Sequence, residues 1–124
     1  MDSLVSKKEF NLEKRSLEFA VSVRKFVLSL PSRPISWEDS KQVIRSSGSI
    51  GANYIEACEA ISKKDFLYRV KICRKEARET VYWLRIIRTY SNAASGSLDI
   101  LIDEAIQLMK IFGSIIVKSE KVTV

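Results

Sequence analysis

The chain has 124 residues, a length that suits one domain built around one hydrophobic core. It contains only two prolines and four glycines, a composition that favours helices over β-sandwiches and loop-rich disulfide scaffolds. Histidine is absent, which excludes Ser-His and Cys-His nucleophile pairs, histidine acid–base catalysis and histidine-containing metal sites. The net charge of +6 attracts polyanions.

The cysteines and the apolar runs bear on cellular location. Cys58 and Cys73 lack CxxC spacing, and no apolar signal-peptide region opens the chain. No apolar run approaches the ~20 residues that cross a bilayer. We therefore expect a cytoplasmic protein with reduced, buried and inert thiols that does not insert into a membrane. No repeat or linker divides the chain, so residues 1–124 are expected to form a single domain.

Four helices are predicted in chain order, and together they indicate an all-α, antiparallel up-and-down four-helix bundle. Their expected bounds are residues 7–30, 37–60, 63–91 and 98–118. Pro31 and Pro34 should end the first helix, because proline lacks an amide donor and disfavours helical dihedrals in the residue before it. The small polar segment 91–97 has no periodic apolar residue and is expected to be a loop.

Hydroxyl side chains followed three residues later by an acid mark the expected helix starts. This capping-box pattern occurs at Ser6/Glu9, Ser36/Asp39 and Ser62/Asp65. Ser97, with Asp99 in the next turn, predicts the start of the fourth helix.

Mostly apolar residues spaced alternately by four and three predict the faces that form the core. In the third helix they are Phe66, Val70, Cys73, Ala77, Thr80, Leu84 and Ile87. In the second they are Val43, Ser47, Ile50, Tyr54, Ala57 and Ile61. In the fourth they are Leu98, Leu101, Ala105, Leu108, Phe112 and Ile115, with a second row of Ile102, Met109 and Ile116.

The first helix carries two apolar rows rather than one. One row comprises Leu17, Val21 and Leu28, and the other comprises Phe19, Val23, Phe26 and Leu30. Two rows indicate either a broad core face or burial against another subunit, and the sequence does not separate these alternatives.

Positive charge is concentrated in the third helix. Between Lys63 and Tyr90 there are nine basic and three acidic residues, an excess equal to the net charge of the whole chain. We call one set of these cations the basic ridge: Lys71, Arg74, Lys75, Arg78, Arg85 and Arg88. Like-charge neighbours within it cost about 1–2.5 kcal/mol at low salt, so we expect an outside partner to compensate them.

Two kinds of negatively charged group could offset the repulsion between the cations of the basic ridge. Phosphate groups of a nucleic acid are one. The other is a set of carboxylates on adjoining helices or subunits, such as Glu13, Glu18, Asp103 and Glu104. Tyr68, Tyr82, Trp83 and Tyr90 interleave with the cations, and bases of a single strand could stack on such rings. Aromatic residues at helical spacing more often pack in cores or interfaces.

Enzymatic motifs are weak. The glycines of Gly48-Ser49-Ile50-Gly51 are too close together for a nucleophile elbow, and small residues there indicate close helix packing. Glu56 and Glu59 lie on one helical face without further ligands. We expect no catalytic residue, no metal site and no cofactor.

Three segments together resemble the 23S ribosomal RNA intervening-sequence protein family of four-helix-bundle proteins. They are Ser46 to Ala57 (SSGSIGANYIEA), Ser62 to Phe66 (SKKDF) and Glu79 to Leu84 (ETVYWL). The resemblance covers nearly the whole chain, although many members have Gly where this chain has Ala57.

This resemblance implies properties that the residues alone do not. Members are encoded in intervening sequences of large-subunit ribosomal RNA genes, or elsewhere in bacterial genomes, and their role is largely unassigned. A related branch, the accessory proteins of diversity-generating retroelements, forms homopentamers that bind nucleic acid and a reverse transcriptase through basic surfaces. Asn53 and Glu56 match the family signature, and we expect them to form a buried polar pair that fixes helix or subunit packing.

The leading hypothesis is therefore a non-enzymatic, oligomeric accessory protein, a homopentamer by resemblance, that binds RNA or DNA through the basic ridge. The alternative is a protein-interaction scaffold whose basic ridge forms inter-helix or inter-subunit ion pairs or docks an acidic protein partner.

Overall fold

The computed structural model describes residues 11–91 and 95–121. This part of the chain contains four helices and no strand: α1 (Leu12–Ser29), α2 (Pro34–Cys58), α3 (Lys63–Arg88) and α4 (Ser95–Lys121). Consecutive helices pack together, and α1 also contacts α4. The predicted four-helix bundle is confirmed. Over the same residues, no helix combines the length and the apolarity that crossing a bilayer requires.

Side-chain contacts show that α3 and α4 run antiparallel. At one end of α3, Lys71 reaches Glu120 near the end of α4, whereas at the other end Arg88 reaches Asp99 near its beginning. The short connections of the chain favour this arrangement.

The start of α2 differs from its prediction. The helix begins at Pro34, after an extended Arg33, rather than at residue 37. Proline suits the first helical position because the amide that it lacks would have no partner there. Ser36 is therefore a buried residue of the first turn and not the predicted cap. At α3 the prediction is confirmed, since Ser62 Oγ accepts a hydrogen bond from the Asp65 amide at 3.0 Å.

The other boundaries shift by a few residues. The last helix begins at Ser95 and ends at Lys121, so Ser97 is not its cap. The bounds of α3 end at Arg88, three residues before the predicted end. The predicted start of the first helix, with its Ser6/Glu9 capping box, lies outside the described residues.

The core forms where the apolar stripes predicted it. Every member of the α3 stripe is buried except Phe66, which is half-buried. Every member of both α4 rows is buried except Met109, which is also half-buried. The prediction of the α2 stripe is correct as far as Ala57. Ile61 is 97% exposed because the helix ends at Cys58.

Of the two α1 rows, the chain by itself buries only one. Phe19, Val23 and Phe26 lie in the core. The row formed by Leu17, Val21 and Leu28 is exposed, with Leu28 reaching 85%. A broad core face is therefore not the explanation for this second row.

Small residues bring α2 close to its neighbours. A Cβ atom on Gly51 would lie 3.2 Å from Cβ of Ser16, so the glycine lets α1 approach. On the other side, Thr80 of α3 donates a hydrogen bond to Ser46 Oγ at 2.8 Å within the core. The predicted close packing of this segment is confirmed.

Candidate nucleic-acid interface

The side chains of α3 separate by charge across the helix. Glu76 and Glu79 face α2, where both carboxylates form ion pairs with Arg45. Desolvation lowers the pKa of Arg45, but the hydrogen bond to Glu79 and the charge of Glu76 outweigh it and raise the pKa above its usual value. These acids are engaged by Arg45, whereas Arg74, Arg78 and Arg85 lie on the other side of α3.

The two end members of the basic ridge contact acids of α4. Lys71 Nζ lies 3.4 Å from Glu120 Oε2, and Arg88 Nη2 lies 3.0 Å from Asp99 Oδ1. All four side chains are about half exposed. Such ion pairs contribute little to stability, so a phosphate group can replace either carboxylate at small cost.

The remaining members face solvent without a partner. We call Arg74, Lys75, Arg78 and Arg85 the central ridge; each is exposed, and none forms a hydrogen bond or ion pair within residues 11–91 and 95–121. The aliphatic part of Arg74 lies over α4, where a Cβ on Gly113 would be 3.9 Å from its Cδ. The aliphatic part of this side chain therefore packs on α4, while the residue as a whole remains exposed.

The carboxylates named as possible partners do not pair with the ridge within one chain. Glu104 instead binds Arg15 of α1 at 2.6 Å. Asp103 accepts a hydrogen bond from Gln107 on its own helix at 2.7 Å. Glu13 and Glu18 belong to α1, which neighbours α2 and α4 rather than α3.

One further cation, on α4, lies near this surface, and the sequence patterns did not predict it. Lys110 is exposed and stands one turn before Gly113, the glycine beneath Arg74. The antiparallel register set by the Lys71–Glu120 and Arg88–Asp99 contacts brings Lys110 level with residues 77–81 of α3. The sequence alone does not place Lys110 on this surface, because its position relative to α3 depends on the register between the two helices.

The signature residues Asn53 and Glu56 behave differently from each other. Asn53 is half-buried, donates to the Ser49 carbonyl at 2.9 Å and accepts from Arg69 of α3 at 3.3 Å. Glu56 is exposed, so the expected burial of the pair within one chain is wrong. Three residues correspond to about 60° around a helix, so Glu56 lies on a more exposed part of the α2 surface than Asn53.

The four aromatic residues of the segment divide into two kinds. Tyr68 and Tyr82 are 60% and 59% exposed. Trp83 and Tyr90 are half-buried, and the Tyr90 hydroxyl donates to Asp39 Oδ2 at 2.9 Å. The expectation that aromatic residues pack inward therefore applies to only two of them.

The cysteines are free thiols in different surroundings. Cys73 lies in the core, and burial raises the pKa of its thiol to about 12. Cys58 is exposed at the end of α2, so its predicted burial is wrong. Ala57, one residue earlier, lies on the packed face of α2, and Cys58 points about 100° away from it.

Comparison with known proteins agrees with this architecture. A crystal structure at 1.70 Å resolution, of a protein of unknown function from the S23 ribosomal protein family of Bacteroides thetaiotaomicron, is 34% identical in sequence. The similarity covers 85% of this chain and 97% of that one, with a TM-score of 0.77. No curated protein matches the chain. The family model of the 23S rRNA-intervening sequence protein matches residues 8–114. Since this match spans most of its length, the chain belongs to the 23S rRNA-intervening sequence protein family.

Proposed function

We propose that this chain is a non-enzymatic nucleic-acid-binding protein that acts as an oligomer in the cytoplasm. The observation that carries the proposal is the central ridge of Arg74, Lys75, Arg78 and Arg85, which is exposed and unpaired in the described part of the chain. Four neighbouring cations without carboxylate partners repel one another, and a polyanion relieves that repulsion.

The ridge suits the phosphate backbone rather than the bases. Its residues lie on one continuous helix, so their charges follow a line with a rise of about 1.5 Å per residue. Exposed lysines and arginines that neutralise phosphates give affinity without reading sequence. The expected ligand is therefore RNA or DNA with little sequence preference.

Assembly of several copies is part of the proposal. The apolar α1 row of Leu17, Val21 and Leu28 is exposed in the single chain. It borders a groove between α1 and α2 of about 610 Å³, whose lining includes Leu17, Ala20, Gly51 and Ile55. An apolar surface of this kind favours contact with another subunit, and resemblance suggests a homopentamer.

The same apolar row favours the second candidate, a protein-interaction scaffold. In that case the central ridge would meet carboxylates of a neighbouring subunit or of an acidic partner protein. The two functions differ in what happens when the charge of the ridge is reversed. A scaffold loses its assembly or its acidic protein partner, whereas a nucleic-acid-binding protein keeps its assembly and loses nucleic acid.

The test combines a salt series with charge reversal. Binding of short RNA and DNA probes should weaken with salt, and four phosphate contacts give a log–log slope of about −2.8 for single strands and −3.6 for duplex. Arg74→Glu together with Arg78→Glu should abolish binding while the mass of the assembly stays unchanged. Arg33→Glu with Lys41→Glu makes the same charge change away from α3 and should bind nearly as well as the wild type.

Two results would count against the proposal. Absence of binding at low salt in the wild-type protein would remove nucleic acid as the ligand. Dissociation of the assembly in the Arg74→Glu/Arg78→Glu variant would favour the scaffold instead.

A further inference from the structure

The outermost face of α3 carries a pattern that a phosphate-binding ridge does not explain. Residues spaced alternately by four and three form a straight line along the helix, which we call the outer stripe: Lys64, Tyr68, Lys71, Lys75, Arg78, Tyr82 and Arg85. All seven are exposed, and none is acidic. The stripe therefore combines five cations with two tyrosine rings, Tyr68 and Tyr82, which are 60% and 59% exposed.

Tyr68 stands beside a basic groove. The groove has a volume of about 400 Å³ and is lined by Lys63, Lys64, Leu67, Tyr68 and Lys71. The Arg69 guanidinium carbon lies 5.7 Å from the centre of the Tyr68 ring, within the range of a cation–π contact. This contact supports the ring while leaving most of its surface in solvent.

Tyr82 is supported in a similar way from one side. Its ring meets Trp83 edge to face, with the centroids 5.1 Å apart and the ring planes at 77°. The Trp83 indole in turn lies 3.4 Å from Glu79 Oε1, to which it donates a hydrogen bond. Both exposed tyrosines are thus held by a neighbouring side chain, which reduces the entropy lost when a ligand stacks on them.

We propose that the outer stripe binds single-stranded nucleic acid, with bases stacked on Tyr68 and Tyr82 and phosphates on the cations between them. This inference rests on the proposed function and specifies its ligand class. The bases of a duplex are stacked on one another inside the helix, so they cannot reach flat rings on a protein surface. A single strand exposes its bases, and stacking on aromatic side chains tolerates any sequence.

The spacing of the rings suits a strand that runs along α3. Tyr68 and Tyr82 are fourteen residues apart, which corresponds to about 21 Å along the helix axis. Lys71, Lys75 and Arg78 lie between them on the same line. A strand of 12 nucleotides is long enough to reach both rings, since phosphates of one stacked strand are about 3.4 Å apart along the axis.

Three probes of equal strand length separate stacking from charge. They are a 12-nucleotide oligothymidylate, a 12-mer of abasic sugar-phosphate units and a 12-base-pair duplex. We expect the wild-type protein to bind the oligothymidylate at least about fivefold more tightly than the abasic strand, because each stacked base contributes to affinity. Tyr68→Leu with Tyr82→Leu should reduce oligothymidylate binding to the abasic level and leave the duplex affinity unchanged.

Two matched variants serve as controls. Tyr68→Phe with Tyr82→Phe keeps the aromatic faces and should retain tight binding of the oligothymidylate. Trp37→Leu removes another exposed aromatic ring, on α2, and should have no effect. Helical circular dichroism of each variant confirms that it is folded.

Each remaining outcome overturns a different statement. Equal binding of oligothymidylate and abasic strand by the wild type overturns stacking and leaves the proposed function in place. A Tyr→Leu variant that loses duplex binding as well assigns the tyrosines a structural role and overturns the inference. Failure to bind any of the three probes at low salt overturns the proposed function and the inference together.

Discussion

Arg15 of α1 and Glu104 of α4 form a bidentate ion pair, with Nε to Oε2 at 2.6 Å and Nη2 to Oε1 at 2.8 Å. Their side chains are only 23% and 27% exposed. The hydrogen bond to Glu104 raises the pKa of Arg15, although desolvation acts in the opposite direction. The pair joins the first described helix to the last and so helps to close the bundle.

We expect this ion pair to stabilise the fold measurably. A double-mutant cycle with Arg15→Met and Glu104→Gln should give a coupling energy of about 1 kcal/mol from urea unfolding, because two parallel hydrogen bonds fix the geometry. The exposed pair Lys41–Glu38, treated in the same way, is the control and should give less than about 0.5 kcal/mol. Equal coupling in the two pairs would contradict the prediction.

The exposed α1 row should control the oligomeric state. We expect Leu17→Glu with Leu28→Glu to lower the mass measured by light scattering toward the 14.1 kDa of one chain, because carboxylates resist burial in an apolar contact. Helix content should be kept, since both leucines are exposed in the single chain. Ile61→Glu, at another exposed apolar residue, should not change the mass. A wild-type protein with the mass of one chain would refute the proposed assembly.

The two thiols should react at very different rates. Cys58 is exposed and should be alkylated quickly by a maleimide, whereas Cys73 is buried with a pKa of about 12 and should react at least about a hundredfold more slowly. Cys58→Ala isolates the slow thiol, and Cys73→Ala isolates the fast one. Addition of denaturant should make the rates similar; similar rates in the folded protein would show that Cys73 is accessible.

Tyr90 should make stability depend on pH in the alkaline range. Burial and the hydrogen bond to Asp39 raise the pKa of Tyr90 to about 12, from an ordinary value of about 10. The unfolded state therefore loses this proton first, and the stability that Tyr90 contributes is complete below about pH 10 and is lost as pH rises toward about 12.

The measurement compares unfolding free energies of the wild type and Tyr90→Phe across this range. Their difference should be constant from pH 7 to 9 and shift in favour of Tyr90→Phe as pH rises further. Tyr68→Phe removes a phenol hydroxyl without affecting the bond to Asp39 and serves as the control. A difference between wild type and Tyr90→Phe that does not change with pH would contradict the assignment.

The local features of the sequence predicted the helices well where one signal was sufficient. Ser62 caps α3 because its hydroxyl reaches the Asp65 amide within a single turn, so no tertiary contact is needed. At α2 two local signals competed, and Pro34 at the first helical position prevailed over Ser36. Ile61 fits the α2 period but lies beyond the helix end, so the period alone placed it wrongly.

The candidate site could be predicted only in part. The excess of cations on α3 is readable from the sequence, because charge and helical period are both local properties. The pairing of Lys71 with Glu120 and of Arg88 with Asp99 depends on the register between α3 and α4. The same register brings Lys110 to the ridge, and no spacing within α3 contains that information.

The sequence by itself determined that the chain is helical, which stripes form the core and that one helix carries the surplus positive charge, because each follows from spacing along a single helix. The tertiary structure decided which charges stay free. Arg45 of α2 engages Glu76 and Glu79 of α3, and no carboxylate within residues 11–91 and 95–121 forms an ion pair with the central ridge. The physical reason is that a helix fixes the direction of its own side chains, whereas packing decides what stands opposite them.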